Sequence, residues 1–343
     1  MHARAWFRGV RAHEVVDYAD LRHDRDALSR GGWWVVVAHY DGPMHAWRFA
    51  DVRATRTVID DPGDWLGPAP HRWATSMDRL QYHDAVMQVR AAIADGEVYQ
   101  ANICRVLRAD LPAHGGMPDA ASLAARLATG NPAPYAALIE IPEQSQVPGA
   151  WVVSASPELS LEVAGGLVRS GPIKGTARTA SGLTAKDRAE NVMITDLVRN
   201  DLQRICEPGS VEVTQLLAVE HHPGLVHLVS RVQGRLRQLD WHQVLCAAHP
   251  PGSVSGAPKS SAMRLIGRLE PVDRGPYCGQ IGWVDADTGR ARLAVGIRTF
   301  WWSADALRFG TGAGITWGSD PGAEWAETEL KAARLVALAS PSI

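Results

Sequence analysis

"LAVGIRTFWWSADALRFGTGAGI", residues 293–315, runs extended segment into extended segment with no helical pattern between them. Strands are predicted over 278–285, 291–301 and 306–311, one directly after another. A doubly wound parallel sheet would need a helix between each pair, and none fits. Upstream, "WWVVVAHY" (33–40) and "MHAWRFADV" (44–52) read as two strands joined by the turn "DGP". Further strands are expected over 97–111, 133–141, 150–156, 210–220 and 224–236, with a hairpin over 159–170 about Gly165-Gly166. Helical spacing of apolar residues predicts helices over 78–94, 184–205, 240–248, 259–268 and 321–339, the second capped by Thr184. Residues 60–73, rich in Pro and Gly, read as a linker. Strands unevenly interleaved with helices argue for an α+β fold, sheet packed on sheet with helices outside.

Bulk composition narrows the function classes. The chain has 343 residues, a formal net charge of −2 and 46% hydrophobic residues, a globular composition. No basic run suggests a nucleic-acid partner. No apolar run reaches the roughly 18–20 residues of a membrane span, and no secretory signal is visible at the start. The four cysteines, Cys104, Cys206, Cys246 and Cys278, are far apart, which argues against a zinc site or disulfide framework and fits a reducing cytoplasm.

Two helices carry acidic faces. In "KDRAENVMITDLVRNDL", Asp187 and Glu190 share a face, with Met193, Ile194, Leu197 and Val198 continuing close by. Carboxylates beside an apolar stripe are costly unless paired or metal-bound. "AEWAETELK" repeats the pattern with Glu324, Glu327 and Lys331. Two such pairs could hold one hard cation through oxygen, an arrangement Mg²⁺ favours. Solvated ion pairing, Glu327 with Lys331 for instance, is the alternative.

Three other stretches raise a choice. Gly310, Gly312 and Gly314, read as following a strand, let backbone N–H groups approach an anion, or mark a structural turn. "PPGSVSGAPKS" (250–260) is a second small-residue loop. Arg298 in an apolar strand needs an acidic partner or an anionic ligand. "SGPIKGTARTA" (170–180) reads as a tight turn holding Lys174: a solvated charge, an anion clamp or an amine kept for chemistry.

Taken together, "GEVYQANICR", "SASPELSL", "PIKGTAR", "DRAENVMITDLVRNDLQRI", "GSVEV", "VHLVSRVQGRL", "PGSVSGAPK", "YCGQIGW", "VGIRTF", "GTGAGI" and "AEWAETELKA" resemble the chorismate-binding enzyme family. That family includes anthranilate, aminodeoxychorismate, isochorismate and salicylate synthases. The resemblance runs from about residue 78 to 338. It implies an anthranilate synthase-like fold, two packed β-sheets flanked by helices, with the active site in the cleft between them. It further implies a reduced N-terminal region over 1–75 adding strands to the same fold, and a catalytic domain over 76–343.

The resemblance also implies roles. Glu190 and Glu327 would bind Mg²⁺, with Asp187 and Glu324 as outer partners, and the metal would hold the ring carboxylate of chorismate. Gly175 and Thr176 would approach that carboxylate. Arg298 and Tyr277, with backbone N–H groups at Gly312, Ala313 and Gly314, would hold the enolpyruvyl carboxylate. Lys331 and His227 would line the cleft. Glu158 would protonate the departing C4 hydroxyl. Water-adding members carry a lysine base where this chain has Gln100, so ammonia is the expected nucleophile. The P-I-K-G-T motif matches aminodeoxychorismate synthases, which implies that Lys174 attacks C2 before ammonia adds at C4. The implied product, 4-amino-4-deoxychorismate, leads to 4-aminobenzoate and then folate, or to a specialised metabolite. An anthranilate-forming enzyme and a non-catalytic chorismate-binding subunit are the alternatives. No amidotransferase motif is visible, so ammonia is expected from a separate glutamine amidotransferase subunit. A family tryptophan-binding segment is not found, and Pro251 stands where relatives often have glycine.

Overall fold

The computed structural model describes residues 3–55, 63–113, 116–144, 147–177, 179–222 and 225–341. Its named strands pair antiparallel throughout and form one 18-stranded sheet. The ladder starts at Glu212–His222 and Leu225–Arg235. It continues through Leu167–Gly171, Leu159–Ala164, Arg290–Val295 and Gln280–Asp285 to Trp33–Ala38. Met44–Ala54, Val10–Asp20 and Arg4–Phe7 then carry it into Tyr135–Ile141. It finishes with Ala150–Ser156, Thr299–Ser303, Ala306–Ile315 and Gln100–Asp110. The two expected sheet layers are therefore two halves of one continuous ladder, joined through the N-terminal strands.

Alternation of side chains explains how the halves pack. Trp33, Val35 and Val37 enter a central core with Ile103, Ala137 and Ile139 from the other half. Trp34, Val36 and Ala38 point outward instead. Both faces of this strand are covered, so "WWVVVA" reads as a continuous apolar run. Among the described residues six α-helices flank the sheet: α1 Arg79–Ala94, α2 Ala120–Gly130, α3 Ala185–Gln203, α4 Trp241–Ala247, α5 Lys259–Leu269 and α6 Pro321–Ala339. The outer face of one half packs on α3 and α4 through Ile194, Leu202, Val244 and Leu245. That of the other packs on α2 and α6 through Leu123, Leu127, Ala332 and Leu335. None of the described helices is long and apolar enough to cross a membrane.

Four local expectations are corrected. The strand expected over 291–301 is broken, because Arg290–Val295 lies in one half and Thr299–Ser303 in the other. The chain turns between them with Arg298 at φ 52°, a conformation unfavourable for a side-chain-bearing residue. The glycine-rich stretch is strand, not strand end: Ala306–Ile315 stays paired with Gln100–Asp110 to its last residue. Its glycines serve close packing, since a Cβ on Gly310 would fall 2.1 Å from the Tyr277 ring and one on Gly312 2.5 Å from Cys104 Sγ. The expected turn about Lys174 is also strand. Leu167–Gly171 and Ile173–Ala177 both pair with Leu225–Arg235. Finally, α2 was not anticipated; Asp119 caps it by accepting from Ala121 N–H, and its apolar side docks on the sheet.

Of the expected linker, residues 60–62 lie outside the described residues. The remainder is pinned: the buried Trp65 donates from Nε1 to the Ala339 carbonyl at the end of α6, 2.7 Å away.

Candidate active site

Lys174 is aimed by a bulge. Ile173 pairs with Val229 and Thr176 with His227, so one extra residue is inserted on the lysine strand between those pairs. Gly175 at φ 87° absorbs the distortion. Helix α3 clamps the bulge from behind. Buried Asn191 donates from Nδ2 to the carbonyl of Leu228 at 2.9 Å and toward that of Lys174 at 3.5 Å. A Cβ on Gly175 would lie 2.8 Å from Asp187 Cβ, so only glycine lets the helix approach this closely.

The half-buried Lys174 side chain crosses to the opposite half of the sheet. Its Nζ is 3.1 Å from the point a Cβ on Gly314 would occupy, and Gln100 Nε2 is 2.6 Å from the same point. Burial lowers the lysine pKa, and Lys331 pushes the same way, while Glu190, Glu158 and Glu327 oppose the shift. Desolvation is the largest of these effects, so the lysine gives up its proton more readily than a free one despite the three carboxylates nearby.

Glu158 follows Ser156 and Pro157 at the bend between Ala150–Ser156 and Leu159–Ala164, and is 4% exposed. Burial raises its pKa to about 7, although Ser253, Lys174 and the Ile173 N–H each pull it back. The bend is fixed by the Val295 N–H, which donates to the Glu158 carbonyl. A cavity of about 20 Å³, enough for one water, adjoins the carboxyl and is lined by Ser160, Ser170 and Asp201.

The two acidic helix faces do meet. Lys186 Nζ lies 3.7 Å from Glu190 Oε1 and 3.5 Å from Glu324 Oε1, so carboxylates of α3 and α6 share one cation. Glu190 Oε1 is buried with no hydrogen-bond partner. Burial raises the Glu190 pKa against the pull of Lys174 and Lys186. Glu327 instead pairs with Lys331 at 2.6 Å; burial opposes, but Lys331, Lys174 and Lys186 together leave its pKa lowered. Asp187 is engaged in the cap of α3, where its Oδ2 accepts from the N–H and hydroxyl of Thr184. Among the described residues no three His, Cys, Asp or Glu side chains converge as a ready cage. Mg²⁺ needs no such cage, since it typically takes one or two carboxylates and keeps water and substrate oxygens. A carboxylate oxygen without a hydrogen bond, beside a second carboxylate already sharing a cation with it, fits that ion.

The remaining expected residues fall around this cleft unevenly. Lys331 Nζ also donates to the Gly312 carbonyl at 3.1 Å, tying α6 to the glycine strand. Gly312, Ala313 and Gly314 pair with Cys104, Ile103 and Asn102 on one side, past the end of Thr299–Ser303 on the other. His227 is buried opposite Thr176; the Thr176 side chain lies outside what is described. Tyr277 is buried against Gly310, its hydroxyl 3.9 Å from Cys104 Sγ. Arg298 has no acid on its guanidinium among the described residues, and burial alone lowers its pKa.

Three residues of the site escaped the sequence reading. Ser253 stands by Glu158 and pulls its pKa down, Lys186 bridges the acidic helices, and Asn102 joins Gln100 over Gly314. Asn102 was findable: it stands two residues beyond Gln100 on a strand, hence on the same face.

Residues 62–337 match the chorismate binding enzyme family. An anthranilate synthase component 1 of Haloarcula marismortui is 40% identical over 314 residues, covering 88% of this chain and 61% of that protein. An aminodeoxychorismate synthase component 1 of Klebsiella aerogenes is 34% identical over 345 residues, covering 93% of this chain and 71% of that protein. The crystal structure of anthranilate synthase component I from Streptococcus pneumoniae superposes with a TM-score of 0.78 at 25% identity, covering 97% of this chain and 92% of that one. The chain thus spans 61% and 71% of the lengths of these two sequence relatives. Relatives of both names match well, and similarity does not choose between them.

Proposed function

The chain belongs to the chorismate-binding enzyme family, and we propose that within it the protein converts chorismate and ammonia to 4-amino-4-deoxychorismate. The observation that carries this reading is Lys174: an amine held by a bulge, its Nζ in the cleft over Gly314, its pKa lowered by burial. A neutral amine in a desolvated pocket is a nucleophile.

In this reading Glu158, whose pKa burial raises to about 7, donates its proton to the C4 hydroxyl. The Lys174 lone pair forms a bond to C2, both ring double bonds shift by one bond, and the C4–oxygen bond breaks to release water. Ammonia then bonds to C4, both double bonds shift back, and Lys174 leaves as a neutral amine. The new C4 ammonium returns one proton to Glu158. The sum is chorismate plus ammonia giving aminodeoxychorismate plus water, with the enolpyruvyl group kept. Glu190 and Glu327, with Glu324 beside them, are the residues that would hold magnesium, which when bound supplies positive charge for the substrate ring carboxylate. Arg298, without an acidic partner among the described residues, suits a second carboxylate.

The name component 1 on the relatives supports a partner that delivers ammonia, which we take to be a glutamine amidotransferase. The product would then serve synthesis of 4-aminobenzoate. Incubation with chorismate, Mg²⁺ and ammonium tests the reading. A product converted to 4-aminobenzoate only by an added lyase supports it; fluorescent anthranilate with release of pyruvate overturns it.

A further inference from the structure

One side chain holds both strands at the Lys174 bulge. Lys174 and Gly175 together oppose Leu228, because Ile173 pairs with Val229 and Thr176 with His227. Asn191 of α3, 1% exposed, aims its amide at this irregularity. Its Nδ2 donates to the Leu228 carbonyl at 2.9 Å and reaches that of Lys174 at 3.5 Å, so it contacts both strands at once. Its Oδ1 accepts from the Ser230 hydroxyl. Ser230 is itself buried and fixed, since its Oγ accepts from the Leu217 N–H at 3.1 Å. Both ends of the carboxamide are engaged, and a flipped amide would set its oxygen against two carbonyls.

The bulge decides which way the lysine faces. In a regular ladder Lys174 would stand directly opposite Leu228 and share its face of the sheet. That face is the one α3 covers, since Ser230, two residues beyond Leu228, bonds Asn191. The extra residue turns Lys174 the other way, and its Nζ reaches 3.1 Å from the place of a Cβ on Gly314. Asn191 also follows Glu190 directly on α3. The residue that grips the bulge therefore sets the distance from the amine to a carboxylate proposed for magnesium.

We infer that Asn191 is the positioning residue of Lys174: its amide holds open the bulge that turns the amine into the cleft, at a fixed place relative to Glu190. The inference deepens the reading of Lys174 as nucleophile and rests on it. Asn191 acts through the backbone, because it contacts the Lys174 carbonyl and not the amine.

Two readouts test it. One is labelling of Lys174 by trinitrobenzenesulfonate with and without chorismate and Mg²⁺, followed by peptide mass spectrometry. The other is steady-state kinetics with ammonium chloride as the nitrogen source. Asn191→Asp keeps the shape and sets an oxygen against both carbonyls. Ser230→Ala removes only the bond that orients the amide, and carries the same comparison if the aspartate variant fails to fold. Chorismate should shield Lys174 several-fold in wild type and much less in the variants. The kcat should fall about 10²-fold in Asn191→Asp while the chorismate KM stays within about threefold, the pattern of a misplaced reacting group. A fall of about tenfold is expected for Ser230→Ala, as for one lost hydrogen bond. Wild-type shielding and kcat in a folded variant overturn the inference, even if the melting temperature drops, because the side chain is then merely structural. Lost shielding in the variants with no Lys174 adduct in wild type supports the positioning role and sinks the nucleophile step instead. A wild-type protein in which chorismate does not shield Lys174 overturns both.

Discussion

Lys174 Nζ comes within 3.1 Å of where a Cβ on Gly314 would stand, although the two residues lie on opposite halves of the sheet. The cleft is narrow here because residue 314 has no side chain. Gly314→Ala should leave the fold intact, since the new Cβ meets only side-chain ends, those of Gln100 at 2.6 Å, Asn102 at 3.0 Å and Lys174 at 3.1 Å, which can shift aside. The displaced amine should then lower kcat by about 10²-fold, the usual cost of misplacing a reacting group by about 1 Å. Circular dichroism with steady-state turnover checks this; wild-type kcat in a folded variant would contradict it.

Glu158 predicts two pH effects. Its pKa of about 7 in the folded protein exceeds the ordinary 4.5, so the folded state holds the proton more tightly. The stabilisation is full below pH 4.5 and is lost as pH rises through 7. It is on the order of 3 kcal/mol at most. Thermal melts should show this fall in wild type and a flatter profile in Glu158→Gln. Activity should likewise decline above about pH 7 as the general acid loses its proton. A wild-type-like basic limb in Glu158→Gln would show that another group sets it.

Lys186 serves as the internal counter-ion of Glu190 and Glu324. Lys186→Met should leave those carboxylates facing each other, and so lower the melting temperature without metal. It should also tighten Mg²⁺ binding several-fold, because no ammonium then competes for the oxygens. Isothermal titration calorimetry reads the affinity directly, and an unchanged or weaker one would speak against the shared site.

A buried ion pair holds the strand that carries Asn102. Arg274 bonds Glu270 at 2.6 Å and also donates to the carbonyls of Asn102 and Val254, while Glu270 accepts from the Cys104 N–H. Glu270→Ala should cost about 3–5 kcal/mol by leaving the guanidinium uncompensated. Urea denaturation measures it; a loss under about 1 kcal/mol would mean that water takes the place of the carboxylate.

Much of this was readable in the chain, and the reasons are local. Helices α3 and α6 could be placed because Thr184 caps one, acidic residues share a face, and apolar residues recur at helical spacing. The hairpin about Gly165-Gly166 follows from its glycines, which both take positive φ. What escaped is tertiary. "LAVGIRTF" is apolar apart from Arg298 and Thr299, and no Pro, Asn or Asp marks the crossing point between sheet halves. The strands Arg4–Phe7 and Val10–Asp20 carry mixed polar residues yet bridge those halves. The bulge at Lys174 looks like a turn until its partner strand is known. Asn102 shows its meaning only through Gly314, far along the chain.

Peptide mass spectrometry on wild-type protein incubated with chorismate and Mg²⁺, without ammonia, tests the central claim most directly. The account predicts that the peptide carrying Lys174 gains the mass of chorismate less one water, and that Lys174→Ala shows neither this adduct nor turnover with ammonium. An unmodified Lys174, with wild-type-like formation of aminodeoxychorismate by Lys174→Ala, would contradict it.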